Sequence, residues 1–155
     1  MLRTQAREEL AEVLALCHGA RIEHRGPRVR VAAADEAGFD VSLINDPPDS
    51  IVCFAGWHAT LCDPESAVRL FALGLSTDCR LTIERIGHKP RRWLIERRDG
   101  ASGSWHEIGE TSLLMLRLWR TPRSRRLQNS WLPGAWAGSK QACSPARQGR
   151  TQFSS

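Results

Sequence analysis

The amino-acid sequence predicts an α+β fold: two helices packed on one face of a bent antiparallel sheet of about eight short strands, with a basic, partly disordered C-terminal tail. Two observations predict the body of this fold. Apolar residues recur at helical spacing in two segments, and they alternate with polar residues elsewhere. A third observation predicts the tail, because Glu110 is the last acidic residue and eight basic residues follow it. A sheet with one apolar side needs helices on that side only.

The first predicted element is a helix from about Gln5 to His18. Thr4 can cap its start, and Gly19 can end it because glycine readily adopts the left-handed backbone that closes helices. One face of this helix is apolar and is predicted to be buried: Ala6, Leu10, Val13, Leu14 and Cys17.

Four short strands are predicted next, as a meander. Residues 22–24 and 29–31 flank a glycine-proline turn, and the valines of the second strand alternate with arginines. A third strand covers residues 39–44, and a fourth covers residues 51–55 after the turn NDPPDS.

The stretch CFAGWHATLCDPE is interpreted as the corner where the fourth strand gives way to a second helix. Asp63 followed by Pro64 marks the helix start, because the aspartate accepts from the first free amides and proline suits the first helical position. The helix is predicted to run to about Leu73 and to end at Gly74. Trp57 is predicted to fill the core at this corner.

The apolar period returns to two after Cys79 and predicts an antiparallel hairpin. Its strands are CRLTIERI and RRWLIERR, joined by the turn GHKP. The loop DGASGS then leads to a strand over residues 105–108, which Gly109 is predicted to break. The apolar run at residues 112–119 fits either a buried strand or a short helix, and its length favours a strand.

The chain is predicted to form one domain, residues 1–120, followed by a basic extension, residues 121–155. The extension is predicted to dock on the domain up to about residue 137, because three apolar residues stand out in it: Trp131, Leu132 and Trp136. Beyond that point the segment is predicted to be disordered, since glycine, proline and serine replace any apolar period.

The charge is unevenly distributed along the chain. The formal net charge is +5, yet residues 1–110 contain 14 basic and 17 acidic side chains. The basic character therefore belongs to the C-terminal extension, and no basic face is predicted for the domain itself.

Cysteine usage and hydropathy predict a cytoplasmic protein. The five cysteines form no C-x-x-C pair, which favours reduced thiols over a disulfide ladder or a zinc site. The first residues include three glutamates where a secretory signal is apolar, and no segment has the ~18 apolar residues of a membrane span. Neither a membrane partner nor a cofactor is predicted.

No catalytic or metal-binding motif is present in the sequence. The five histidines are scattered singly, without metal-ligand spacing. A small enzyme is the alternative, with a pocket that the fold would assemble from His58, Cys62, Asp63 and His106. Among the thiols Cys62 is the best candidate nucleophile, because it precedes a helix N-terminus, where the dipole lowers a thiol pKa.

Two surfaces are predicted for binding. A tryptophan-containing surface of the sheet would hold an apolar or planar ligand through Trp57, His58, Trp93, Trp105 and His106. The arginine-rich segment would contact nucleic acid or an acidic partner through Arg117, Arg120, Arg123, Arg125 and Arg126.

The leading hypothesis is a non-catalytic binding or protein-interaction module whose partner is a protein or a small apolar ligand. Nucleic-acid binding and enzymatic activity are the alternatives. No segment of the sequence predicts an oligomeric state.

Overall fold

The computed structural model describes residues 4–113 and 121–134, and within them it contains two helices and nine strands. Their order is α1 (Thr4–Leu16), β1 (Ile22–Arg25), β2 (Arg28–Val31), β3 (Val41–Asp46), β4 (Asp49–Phe54), β5 (Trp57–Leu61), α2 (Pro64–Leu75), β6 (Cys79–Ile86), β7 (Lys89–Arg98), β8 (Trp105–Ser112) and β9 (Arg123–Gln128). Every strand pairing is antiparallel, so the predicted α+β class is confirmed. Neither described helix has the length and apolarity that a membrane crossing requires.

The strands are divided between two sheets instead of forming one continuous sheet. β1 to β5 form a meander in which each strand pairs with the next. The second sheet has the order β8-β7-β6-β9, so the last strand returns to pair with β6. One apolar core lies between these layers, and its largest fully buried side chains come from both sheets and from α2.

Helix α2 connects the two sheets, because it contacts β3, β4 and β5 of the first sheet and β6 of the second, while α1 packs against α2. The predicted cap is confirmed: Asp63 Oδ2 accepts a hydrogen bond from the Ser66 amide at 2.9 Å. The predicted end at Gly74 is wrong, since the helix continues to Leu75. Gly74 is instead a packing site, where a Cβ would collide with the ring of Phe54.

The predicted corner after β4 is wrong, because residues 57–61 form β5 and pair with β4. Ala55 and Gly56 make the tight turn between them, both with positive φ (43° and 101°). A two-residue hairpin turn requires this backbone, which alanine rarely adopts. Ala55 is held there by its amide, which donates to Asp40 O at 3.3 Å, and by its carbonyl, which accepts from Trp93 Nε1 at 3.2 Å. The predicted core position of Trp57 is confirmed.

Strand β8 does not break at Gly109, as the sequence predicted, but continues to Ser112. The pairing with β7 shifts at this point, from Ile95 opposite Gly109 to Glu96 opposite Glu107. A Cβ on Gly109 would lie 2.8 Å from Cζ2 of Trp57, so glycine lets an indole of the first sheet lie against the second. Of the strand predicted at residues 112–119, only residues 112 and 113 belong to the described part of the chain.

The arginine-rich segment contains a strand, β9, and a buried connection to the rest of the molecule. Asn129 is 2% exposed and bonds to the main chain of Phe39 and Gly74. Trp131 Nε1 donates to Ala32 O at 3.1 Å, and the Leu132 amide donates to Leu75 O at 3.1 Å. The boundary at residue 120 and the docking limit near residue 137 stay predictions; Trp136 lies outside the described residues.

Candidate binding surface

Two of the tryptophans predicted to bind a ligand lie in the core. Trp57 stacks on Phe54 with ring centroids 5.3 Å apart, and Trp93 is enclosed next to Gly56. Trp57 is 7% exposed and Trp93 is 8% exposed. Because both indoles are buried, they are unavailable to a partner that approaches the surface.

Trp105 lies on the outer face of the four-stranded sheet, and its ring is covered by arginine. The guanidinium carbon of Arg80 is 4.2 Å from the ring centroid, and that of Arg98 is 5.7 Å away. Arg80 also forms a bidentate pair with Glu96, through bonds of 2.6 and 2.7 Å. His106 is exposed next to Trp105 and lies opposite Arg97. The ring of Trp105 is therefore already occupied by a cation–π contact.

Ion pairs neutralise most of the charge on this outer face. Arg92 donates to Glu110 at 2.7 Å and to Glu84 at 3.2 Å. The hydrogen bonds from Arg92 and Ser112 lower the pKa of Glu110, so it stays charged at neutral pH. Arg98 bonds to Asp78 at 3.0 Å.

The turn end of the four-stranded sheet is different, because cations from two distant segments lie there without ion pairs to the described carboxylates. The nearby Glu84 pairs with Arg92 instead. Arg85 of β6 is directly opposite Arg123 of β9, and Lys89 pairs with the next residue of β6. Arg91 lies where the β6–β7 register shifts. Within the described part of the chain, none of these four side chains has an ion-pair partner. We call Arg85, Lys89, Arg91 and Arg123 the basic end.

The basic end extends along β9, where the arginines predicted from the sequence are found. Arg125 is exposed and its guanidinium donates to the carbonyl oxygen of Glu36. Arg126 is exposed on the outer face, opposite Thr82. Arg117 and Arg120 lie outside the described residues. The sequence-based expectation that the body has no basic face is wrong for this end of the sheet, because Arg85 is opposite Arg123 and Lys89 and Arg91 of β7 lie at the same end.

The four residues of the enzymatic alternative are not joined by hydrogen bonds in the described structure. Asp63 is engaged as the helix cap, where bonds from Ser66 lower its pKa. His58 is exposed on β5, whereas His106 lies on β8 of the other sheet. The hydrogen bond and negative charge of Asp49 raise the pKa of the Cys62 thiol. This carboxylate disfavours the thiolate and so opposes the activation of Cys62 that the helix dipole was expected to give.

Metal-binding groups do not converge in residues 4–113 and 121–134, where no three His, Cys, Asp or Glu side chains are placed to hold an ion. Cys79 is fully enclosed, and burial raises the pKa of its thiol to about 12. Cys17 is likewise buried, which raises its pKa. These two thiols are packing groups.

The fold and the basic end define an α+β protein with an exposed cationic surface. No family model, curated protein or solved structure matches the chain. The surface is therefore interpreted from its own chemistry.

Proposed function

We propose that the protein is a non-catalytic interaction module that binds an acidic partner protein through the basic end and the adjoining arginines of β9. The observation that carries this proposal is the direct opposition of Arg85 and Arg123, with no carboxylate on either among the described residues. Like charges opposite each other destabilise an antiparallel pair by up to about 1 kcal/mol. A bound carboxylate removes that repulsion, so the opposed pair is more stable with an anion bound than in the free protein.

The shape of the basic end favours a protein partner over a small ligand. Its cations are spread along a turn and an edge strand, and three of the four are exposed. Exposed charges of this kind steer association and give specificity.

The four described cysteines form no disulfide, which supports the proposed cytoplasmic location.

Single-stranded nucleic acid is the second candidate, since the same arginines would neutralise phosphates. Binding of single strands ordinarily also stacks bases on aromatic rings. Trp105 is covered by Arg80, and no phenylalanine or tryptophan among the described residues is exposed. A carboxylate-bearing protein therefore fits this surface better than a nucleic acid does.

Charge reversal tests the proposal. The variant R85E/R123E should weaken binding of a labelled oligoglutamate peptide by about tenfold or more, because both cations of the opposed pair are lost. The matched control is R7E/R21E, which changes the net charge equally at exposed sites on α1 and next to β1, where neither arginine is opposite another. Fluorescence anisotropy at low and high salt measures the affinity, with an oligothymidylate strand of equal charge as the competing probe.

Equal loss of peptide binding in both variants would show that only net charge matters and would overturn the proposal. Preference for the oligothymidylate, lost in R85E/R123E alone, would replace the acidic protein with nucleic acid. Peptide binding that persists in R7E/R21E and fails in R85E/R123E supports the proposal.

A further inference from the structure

Strand β9 has one edge paired with β6, and its other edge is only half covered. At the C-terminal end, the Gln128 amide donates to Ala37 O at 2.8 Å. The Asn129 side chain then accepts from the Phe39 amide at 3.0 Å and donates to the Phe39 carbonyl at 2.9 Å. The segment around residues 37–39 thus takes the place of a neighbouring strand, but only there.

The N-terminal half of this edge has no such neighbour among the described residues. Strand geometry alternates, so the main-chain groups of Ser124 and Arg126 point to the same side as the Gln128 amide. Both residues are exposed, and no main-chain partner is found for them on that side in the described structure. A free row of amides and carbonyls is a template for one more strand.

We propose that an extended acidic segment of the partner adds to this edge, pairing its main chain with Ser124 and Arg126. This inference rests on the proposed function for the charge of the partner and adds the mode of binding. In strand addition, main-chain hydrogen bonds supply affinity and alternate side chains supply specificity. Carboxylates on one side of the added strand meet Arg123 and Arg125, and those on the other side meet Arg126.

The surrounding charges also give the added segment a direction. Asp35 and Glu36 are exposed beside the covered end of the edge, where Glu36 O binds Arg125. The basic end lies at the opposite end, next to Arg123. The acidic residues of the segment are therefore attracted to the Arg123 end and repelled at the Gln128 end, so its charge should be concentrated at the former.

Charged edge strands also occur simply because charge prevents edge-to-edge aggregation. The experiment must therefore separate main-chain pairing from charge. The probe is a labelled peptide of alternating glutamate and valine, compared with the same sequence methylated at every main-chain nitrogen. Both peptides carry the same charge, but the methylated one cannot donate to β9.

The unmethylated peptide should bind the full chain about tenfold more tightly or better, as measured by anisotropy. On the protein side, S124P removes the outward amide and leaves the bonds to β6 in place, because proline is tolerated on an edge strand whose N–H faces solvent. The S124P substitution should weaken binding of the unmethylated peptide and leave binding of the methylated peptide unchanged. Amide exchange at Ser124 and Arg126 should slow on binding, with the edge strand β5 as the internal control.

Equal affinity of the two peptides would overturn strand addition, and if R85E/R123E still abolished binding, the acidic-partner proposal would stand alone. If neither peptide bound, or if R85E/R123E had no effect, both proposals would fall. The peptide comparison does not depend on S124P, so a misfolded S124P variant leaves the test intact.

Discussion

The two sheets of this molecule differ in how far along the chain their partners lie. Each strand of the five-stranded sheet pairs with its neighbour in sequence, so short turns bring all partners together. The four-stranded sheet depends on β9, which returns across the whole β7–β8 region to reach β6. A sheet built from local hairpins is brought together by its turns alone. The second sheet also depends on the contacts that hold β9 and the residues after it in place.

The largest expected effect comes from the residue that ties β9 to the first sheet. Replacing Asn129 by alanine leaves three buried main-chain groups, on Phe39 and Gly74, without their side-chain partner. Each such group costs about 1–3 kcal/mol, so the three together should make N129A lower the free energy of unfolding by about 3 kcal/mol or more. Urea denaturation measures this loss. Amide exchange should show β9 and β6 opening before β1 to β4.

The matched control for this prediction is the same substitution in the first sheet. Asn45 lies on β3, and its side chain makes no hydrogen bond to another described residue. N45A should change the stability by about 0.5 kcal/mol or less. If N129A were as mild as N45A, residues 129–132 would not be what holds the second sheet together.

A smaller effect is expected where the two sheets touch. Replacing Gly109 by alanine places a Cβ 2.8 Å from Cζ2 of the buried Trp57, and the indole has no space to retreat. Overpacking of this kind costs about 1–3 kcal/mol. G100A is the control, because nothing lies within 4 Å of the added atom there. Equal stability of G109A and G100A by urea denaturation would mean that the contact between the sheets is loose.

The separation of contacting residues along the chain also decides which elements the sequence predicts. Elements specified by neighbouring residues are predicted, and elements specified by distant residues are not. Helix α2 and the β6–β7 hairpin follow from local signals, namely the Asp63-Pro64 start and a clear alternation. Strand β5 was missed because Ala55-Gly56 lacks the asparagine-glycine or aspartate-glycine signature of a tight turn. Its geometry is imposed by bonds to residues far along the chain.

Strand β9 could not be predicted from its own residues, since only Leu127 among them is buried. Its place is fixed by pairing with β6 and by the buried side chain of Asn129. The candidate site shows the same limit. The arginines of β9 are visible in the sequence as a charge cluster, but Arg85 and Lys89 look like ordinary turn residues. Only the register shows that Arg85 is opposite Arg123 and that Lys89 lies at the same end of the sheet.

The smallest expected effect concerns the ion pairs that each sheet carries on its surface. The hydrogen bonds from Arg80 lower the pKa of Glu96, and this pair is well enclosed, with side chains 17% and 15% exposed. A carboxyl whose pKa is lower in the folded state stabilises the fold above its unfolded pKa, about 4.3. That contribution is lost as the pH falls through the folded pKa. E96Q should therefore cost about 1–2 kcal/mol at neutral pH.

The cost of E96Q should shrink steadily on acidification, because the native carboxyl is then protonated as well. Urea denaturation across the acid range measures it, with E12Q on α1 as the control, because Glu12 is exposed and has no ion pair in the described structure. The Arg30–Asp40 pair of the first sheet is more exposed, at 35% and 42%, so D40N should show a weaker pH dependence. A pH-independent cost of E96Q would mean that the packing of the Glu96 side chain, and not its charge, stabilises the fold.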